Sequence, residues 1–165
     1  MQKTRFLIAI FLILSFPLSS IAAKWRTQPL SSIDKQYMAD QIASIDDLAR
    51  RNFGRYITGQ KDNDIAVIQR LLDDAVVKPS DVKPLQAMGI ILGSLLASER
   101  GLKWIVYIDA VGRSRALQVT GFDKDFIFPT TQISRKVEVG NKVNVEEIYK
   151  ILEQSITDIR KKPPF

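Results

Sequence analysis

The sequence predicts an α+β domain, on three observations. Apolar residues recur at three- and four-residue steps through three segments of the amino-terminal half, each bounded by a capping residue or a glycine. From Lys103 the pattern changes to short runs rich in β-branched and aromatic residues, separated by turns that contain glycine. The carboxy-terminal segment returns to the helical period. Three helices, a small antiparallel three-stranded meander and a last helix make an α+β arrangement rather than an alternating one.

Ahead of these elements, residues 1–23 read as an export signal. Lys3 and Arg5 give a positive start, Phe6 to Phe16 is almost wholly apolar, Pro17 breaks the run, and Ser20, Ile21 and Ala22 place small residues at the spacing signal peptidase reads. Cleavage near Ala22 or Ala23 is expected, with a periplasmic or secreted product. The competing reading is an uncleaved anchor, since the uncharged stretch to Ala23 approaches the roughly 17–25 residues of a membrane span. Pro17 and the serines at 15, 19 and 20 weaken that reading. No cysteine follows the apolar run, which excludes a lipoprotein anchor. The longest later apolar run, Ala87 to Ala97, is short and interrupted by Gly89, Gly93 and Ser94, so no membrane span is expected after signal cleavage.

Residues 24–30 lack any period and contain Pro29, and are expected to form an extended arm. A single α+β domain is then expected over residues 31–162. Ser31 or Ser32 caps the first helix, with Ser31 and Asp34 at capping-box spacing. Ile33, Tyr37, Met38, Ile42, Ile45, Leu48 and Phe53 form its apolar face, and Gly54 stops it. Gly59 to Asn63 reads as a loop. Asp64 is expected to cap a second helix, with Ile65, Ile68, Leu71, Leu72, Ala75 and Val76 on one face and a stop at Lys78 and Pro79. Ser80 or Asp81 starts a third helix, in which Pro84 is tolerated because it falls in the first turn. From Leu85 to Leu96 this helix is apolar nearly all round, which predicts cover on most sides. Gly89 and Gly93 share a face and permit close backbone approach, and Gly101 closes the helix.

Lys103 to Asp109 reads as the first strand and residues 110–113 as a turn. In the second strand, Arg115 to Thr120, Leu117 and Val119 alternate with Gln118 and Thr120. Gly121 to Asp125 reads as a loop and Phe126 to Pro129 as a short third strand. Thr130 to Val139 fits a helical turn or a strand. Asn144 and Glu147 repeat the capping-box spacing before a helix carrying Val145, Ile148, Leu152, Ile156 and Ile159.

Part of this pattern resembles a known family. Leu85, Gly89, Gly93, Gly101, Trp104, Asp109, Gly112, Arg113, Ala116, Leu117, Phe128, Pro129, Ile133, Arg135, Val137 and Val145 occur in the order and spacing of the bacterial domain-of-unknown-function family 3806. The likeness runs from about Leu85 to Leu152. Val111 stands where the family pattern carries an acidic residue before the glycine–arginine turn. The resemblance implies one exported or envelope-associated domain and transfers no activity.

Composition excludes several chemistries. With no histidine and no cysteine, imidazole-based general base catalysis, Ser-His-Asp and Cys-His nucleophiles and the common zinc sites are ruled out. No disulfide forms either, so stability rests on a core that about 140 residues can supply. No cofactor and no metal are expected. The net charge of +6 falls to +4 once Lys3 and Arg5 leave with the signal, and it is dispersed. The dense basic spots, Arg50–Arg51 and Arg160–Lys162, fall at helix ends, where cations meet the negative end of the dipole. Nucleic acid is therefore not an expected partner.

Candidate sites carry competing readings. Asp109, Arg113 and Arg115 flank the hairpin turn, and Arg135 is a candidate to join them. They form either a turn-stabilising aspartate with solvated arginines, or a cationic notch for a carboxylate or phosphate that uses the arginine fork. Trp104 reads as a core anchor or a stacking platform. Asp123 and Asp125, with Asp109, are candidates for a glycosidase-type acid pair, but Gly121 to Asp125 lacks a calcium-loop pattern. Asp62, Asn63 and Asp64 read as a capped helix start. Ser94, Ser98 and Ser134 do not fit a Ser-x-x-Lys spacing. The expected function is a non-catalytic envelope binding module for a protein, a polymer or a small anion. The alternatives are a carboxylate-dependent envelope hydrolase, and an inhibitor or immunity protein against a cell-wall enzyme.

Overall fold

In the computed structural model, which describes residues 25–163, the helical half begins at the first expected cap. The export signal expected over residues 1–23 lies outside the described residues. Ser31 precedes α1 (Ser32–Phe53). Its hydroxyl accepts the Asp34 amide at 3.1 Å while the Asp34 carboxylate accepts the Ser31 amide at 3.1 Å, closing the capping box. Gly54 ends the helix in the left-handed conformation.

The second helix, α2 (Lys61–Asp73), differs from expectation at both ends. Gln60, not Asp64, is its N-cap. The Asp64 carboxylate is 1% exposed and turns back onto the loop, accepting the Thr58 and Gly59 amides at 2.8 and 2.9 Å. Two loop amides and the positive end of the helix satisfy that charge better than a single capping bond. The helix stops at Asp73, well before Lys78 and Pro79, because Ala75 adopts φ +52° and accommodates the chain reversal.

Asp81 holds the N-cap position of α3 (Val82–Arg100), the central helix of the molecule, but makes no capping bond: its carboxylate accepts the Lys78 amide at 2.8 Å instead. Its buried residues run almost without interruption from Leu85 to Leu96, as the missing polar face predicts. The glycine pair acts by close approach. A Cβ on Gly89 would lie 2.5 Å from the carbonyl oxygens of Pro129 and Thr130, and one on Gly93 would overlap the Trp104 and Pro129 rings. The short 3-10 turn Pro129–Thr131 crosses α3 there, and Trp104 packs as a core anchor.

The sheet is four-stranded and antiparallel, in the order β1 (Arg26–Pro29), β2 (Lys103–Ile108), β3 (Arg113–Val119), β4 (Phe122–Ile127). The three-stranded expectation is corrected here. The arm pairs with β2 from Arg26 opposite Ile108 to Pro29 opposite Ile105. All four of its residues are exposed, so it carries no hydrophobic alternation. Its backbone instead satisfies the open edge of β2, and Pro29 is tolerated because the strand is an edge. β4 starts at Phe122, directly after the turn at Thr120 and Gly121, so most of the expected loop is strand.

The ambiguous stretch after β4 is helical: the 3-10 turn continues into α4 (Gln132–Glu138), which buries Ile133. Asn144 caps α5 (Val145–Arg160) by accepting the Glu147 amide at 3.0 Å. Polar contacts tie α5 to α2 and α3. The buried Tyr149 hydroxyl donates to Glu99 at 2.8 Å, and the Lys61 ammonium lies 4.4 Å from the Tyr149 ring centre. Burial, with the Glu99 carboxylate beside it, pushes the Tyr149 phenol above the ordinary tyrosine range. Glu153 joins Arg100 at 2.5 Å and Lys61 at 3.5 Å. The main core draws on all five helices together with Leu117, Val119 and Ile127 of the sheet, so the observed class is α+β. No helix among the described residues is long and apolar enough to cross a membrane.

Candidate functional site

The β2–β3 hairpin turns through Asp109, whose carboxylate accepts the Val111 and Gly112 amides at 2.9 and 3.1 Å. Its own amide donates to the Gly112 carbonyl at 3.0 Å. Asp109 is thus engaged in holding the turn, the first of the two readings the sequence allows.

The two arginines beyond the turn are not merely solvated. The Arg113 Nη1 and Nη2 donate to Asp34 Oδ1 and Oδ2 at 2.9 and 2.7 Å, a bidentate fork. The Arg115 Nη2 donates to Asp34 Oδ1 at 3.0 Å, and its guanidinium lies 4.1 Å from the Tyr37 ring centre. Asp34 is 1% exposed, and a lone carboxylate there would be costly. The Arg113 hydrogen bonds, supported by those from Ser31, outweigh burial and hold its carboxyl well below the usual carboxylate range. One carboxylate therefore closes the α1 cap and fastens the hairpin to α1.

Beside this cluster lies a cleft of about 790 Å³ between the hairpin, β4, the 3-10 turn, α4 and α5, with Tyr37 of α1 and Gln86 of α3 also lining it. Asp109, Arg113, Arg115 and Arg135 all line it, so the fold brings the four sequence-selected residues to one concavity. Arg135 projects from α4, is exposed, and makes no ion pair among the described residues. Tyr107, Phe126 and Phe128 line the same cleft as an aromatic wall: Tyr107 lies 5.1 Å from Phe126 and 5.2 Å from Phe128, centre to centre. Trp25, just before β1, stacks on Tyr107 at 5.9 Å and meets Phe126 edge-on at 5.1 Å. Ile151 and Ile159 of α5 add aliphatic surface.

Sequence reasoning missed Asp34 and the aromatic wall. Asp34 is explained locally by its capping box, and nothing in the sequence signals a partner seventy-nine positions away. The aromatics lie on separate strands whose register is set by pairing. Conversely, Asp123 and Asp125 lie on β4 and do not line the cleft, and Asp125 is paired with Lys162. The imagined acid pair with Asp109 is therefore not assembled there.

The model of a family described as Domain of unknown function (DUF3806) matches residues 64–149, over half of the chain. The chain belongs to this family. The match begins in α2, earlier than the resemblance read from the sequence, and contains all four selected residues but not Asp34. A crystal structure of a protein from Bacteroides thetaiotaomicron VPI-5482, at 1.50 Å, aligns with a TM-score of 0.68 and 20% identity. The alignment covers 76% of this chain and 46% of that one, so the chain spans about half the length of that protein. At this identity the likeness is one of fold. No curated protein matches the chain.

Proposed function

We propose that the chain is an exported, non-catalytic binding module of the bacterial envelope, with the cleft beside the β2–β3 hairpin as its binding face. One observation carries the reading: a single cleft of about 790 Å³ brings together, from elements distant in sequence, the aromatic rings of Tyr107, Phe126 and Phe128 and Arg135 of α4, which is uncommitted among the described residues. That volume is in the range of small-molecule sites, roughly 300–1,000 Å³, which combine apolar walls with a few placed polar groups. A binding rather than catalytic role is supported by the lack of histidine and cysteine and by the commitment of the Asp109 carboxylate to the turn. Export is supported by the pattern of residues 1–23.

The test is cell fractionation of the tagged chain, followed by its native recovery from that fraction and mass spectrometry of the small molecules it carries, with Arg135→Gln as the control. The reading expects the chain in the periplasmic or envelope fraction, with a co-purifying ligand that the control loses. Retention in the cytoplasm, or the same co-purifying molecules from both proteins, refutes it.

A further inference from the structure

We infer that Arg135, rather than Arg113 or Arg115, receives the anion in this cleft, and that the ligand is a small monoanion with a flat apolar body. The inference rests on the binding role proposed above and names its ligand class. The Arg113 fork is already filled bidentately by Asp34, and Arg115 donates to the same carboxylate while its face rests on Tyr37. An incoming anion would have to compete with a carboxylate that is built into the fold and already in place. Displacing it would leave the charge of Asp34 buried without its partner, the situation that makes broken buried pairs costly. The two arginines therefore act as a structural clamp: one carboxylate leaves part of their charge unbalanced, but their donor ends are already turned onto Asp34.

Arg135 is the cation left over. It lies on an exposed helix surface, lines the cleft and has its guanidinium uncommitted among the described residues. One available fork suits one carboxylate or sulfonate group. A second negative charge would find no second uncommitted fork among the lining residues, which also include the Asp109 carboxylate. The rest of the ligand must satisfy the Tyr107, Phe126 and Phe128 wall and the aliphatic edges of Ile151 and Ile159. These rings pack directly on one another, with Trp25 stacked on Tyr107, so a flat ligand ring would extend the cluster by stacked or edge contact at its cleft side. A concave site of this volume suits a small molecule better than a polypeptide, which would bind by a larger and flatter surface.

The experiment titrates the purified chain with 2-naphthoate and with its uncharged isostere 2-naphthamide, followed by calorimetry. The naphthoate is expected to bind about tenfold more tightly, the margin of a charge-assisted over a neutral hydrogen-bonded contact. Arg135→Gln should bring the two affinities together, and Arg135→Lys should restore part of the difference. Arg113→Lys, which keeps a positive partner for Asp34, should leave the ratio unchanged, and Phe126→Ala should weaken both compounds alike. Three results overturn the inference: no saturable binding of either compound, an unchanged ratio in folded Arg135→Gln, or loss of the ratio in Arg113→Lys instead. If the naphthoate fails while Arg135→Gln still loses the ligand that co-purifies with the parent, the ligand class falls and the binding role stands.

Discussion

Replacing Asp34 by Asn keeps the shape of the side chain and removes the charge that two arginines share. The structure sets the size of the effect. Losing one side of a buried pair costs about 3–5 kcal/mol when the remaining charge stays desolvated. Here the Arg113 side chain is 50% exposed and recovers water, whereas that of Arg115 is 24% exposed and recovers less. An Asn still accepts from the Ser31 amide, so most of the cap survives. A net loss of about 2–3 kcal/mol follows, or roughly 5–10 °C in Tm for a chain of this size. The pH dependence has a definite sign. The folded carboxyl ionises well below its ordinary value of 3.8, so the stabilisation is fully present above that value and is lost progressively as pH falls below it. Urea unfolding of both proteins should show the full difference at pH 7 and a steadily smaller one below about pH 4. A cycle with Arg113→Gln should return a coupling of 1 kcal/mol or more, on the order of that between hydrogen-bonded charged neighbours. A variant within about 0.5 kcal/mol of the parent at pH 7, or a difference that ignores pH, would refute the clamp.

Two further substitutions test the backbone reading. Gly89→Ala gains about 1 kcal/mol of helix propensity but drives a Cβ into two backbone carbonyls; a net loss of about 2 kcal/mol is expected in chemical denaturation, and stabilisation would contradict the close approach of the 3-10 turn. Ala75→Gly relieves a left-handed residue past the end of α2 and should raise stability by about 1 kcal/mol, with thermal unfolding as the measure; a lowered Tm would deny that the φ of +52° is strained.

The helices were legible because their signals are local. Caps at Ser31 and Asn144 and stops at Gly54 and Gly101 depend on a few adjacent residues, and the all-apolar stretch of α3 announces its own burial. Where two local solutions competed, the sequence misled: Asp64 has the chemistry of a cap, yet the loop amides of Thr58 and Gly59 claimed it. The arm was illegible as a strand because an exposed edge strand has no face to bury and so no alternation to read.

The sequence by itself determined the α+β class, the exclusion of imidazole and thiol chemistry, and the choice of Asp109, Arg113, Arg115 and Arg135 as residues to watch. Only the tertiary structure decided what each of them does. Arg113 and Arg115 are spoken for by a carboxylate from the other end of the chain, Asp109 by its own turn, and Arg135 by nothing among the described residues. The physical reason is that a charge's availability depends on its nearest counter-charge at a few ångströms, and the chain supplies that neighbour through packing of α1 against the hairpin rather than through sequence spacing.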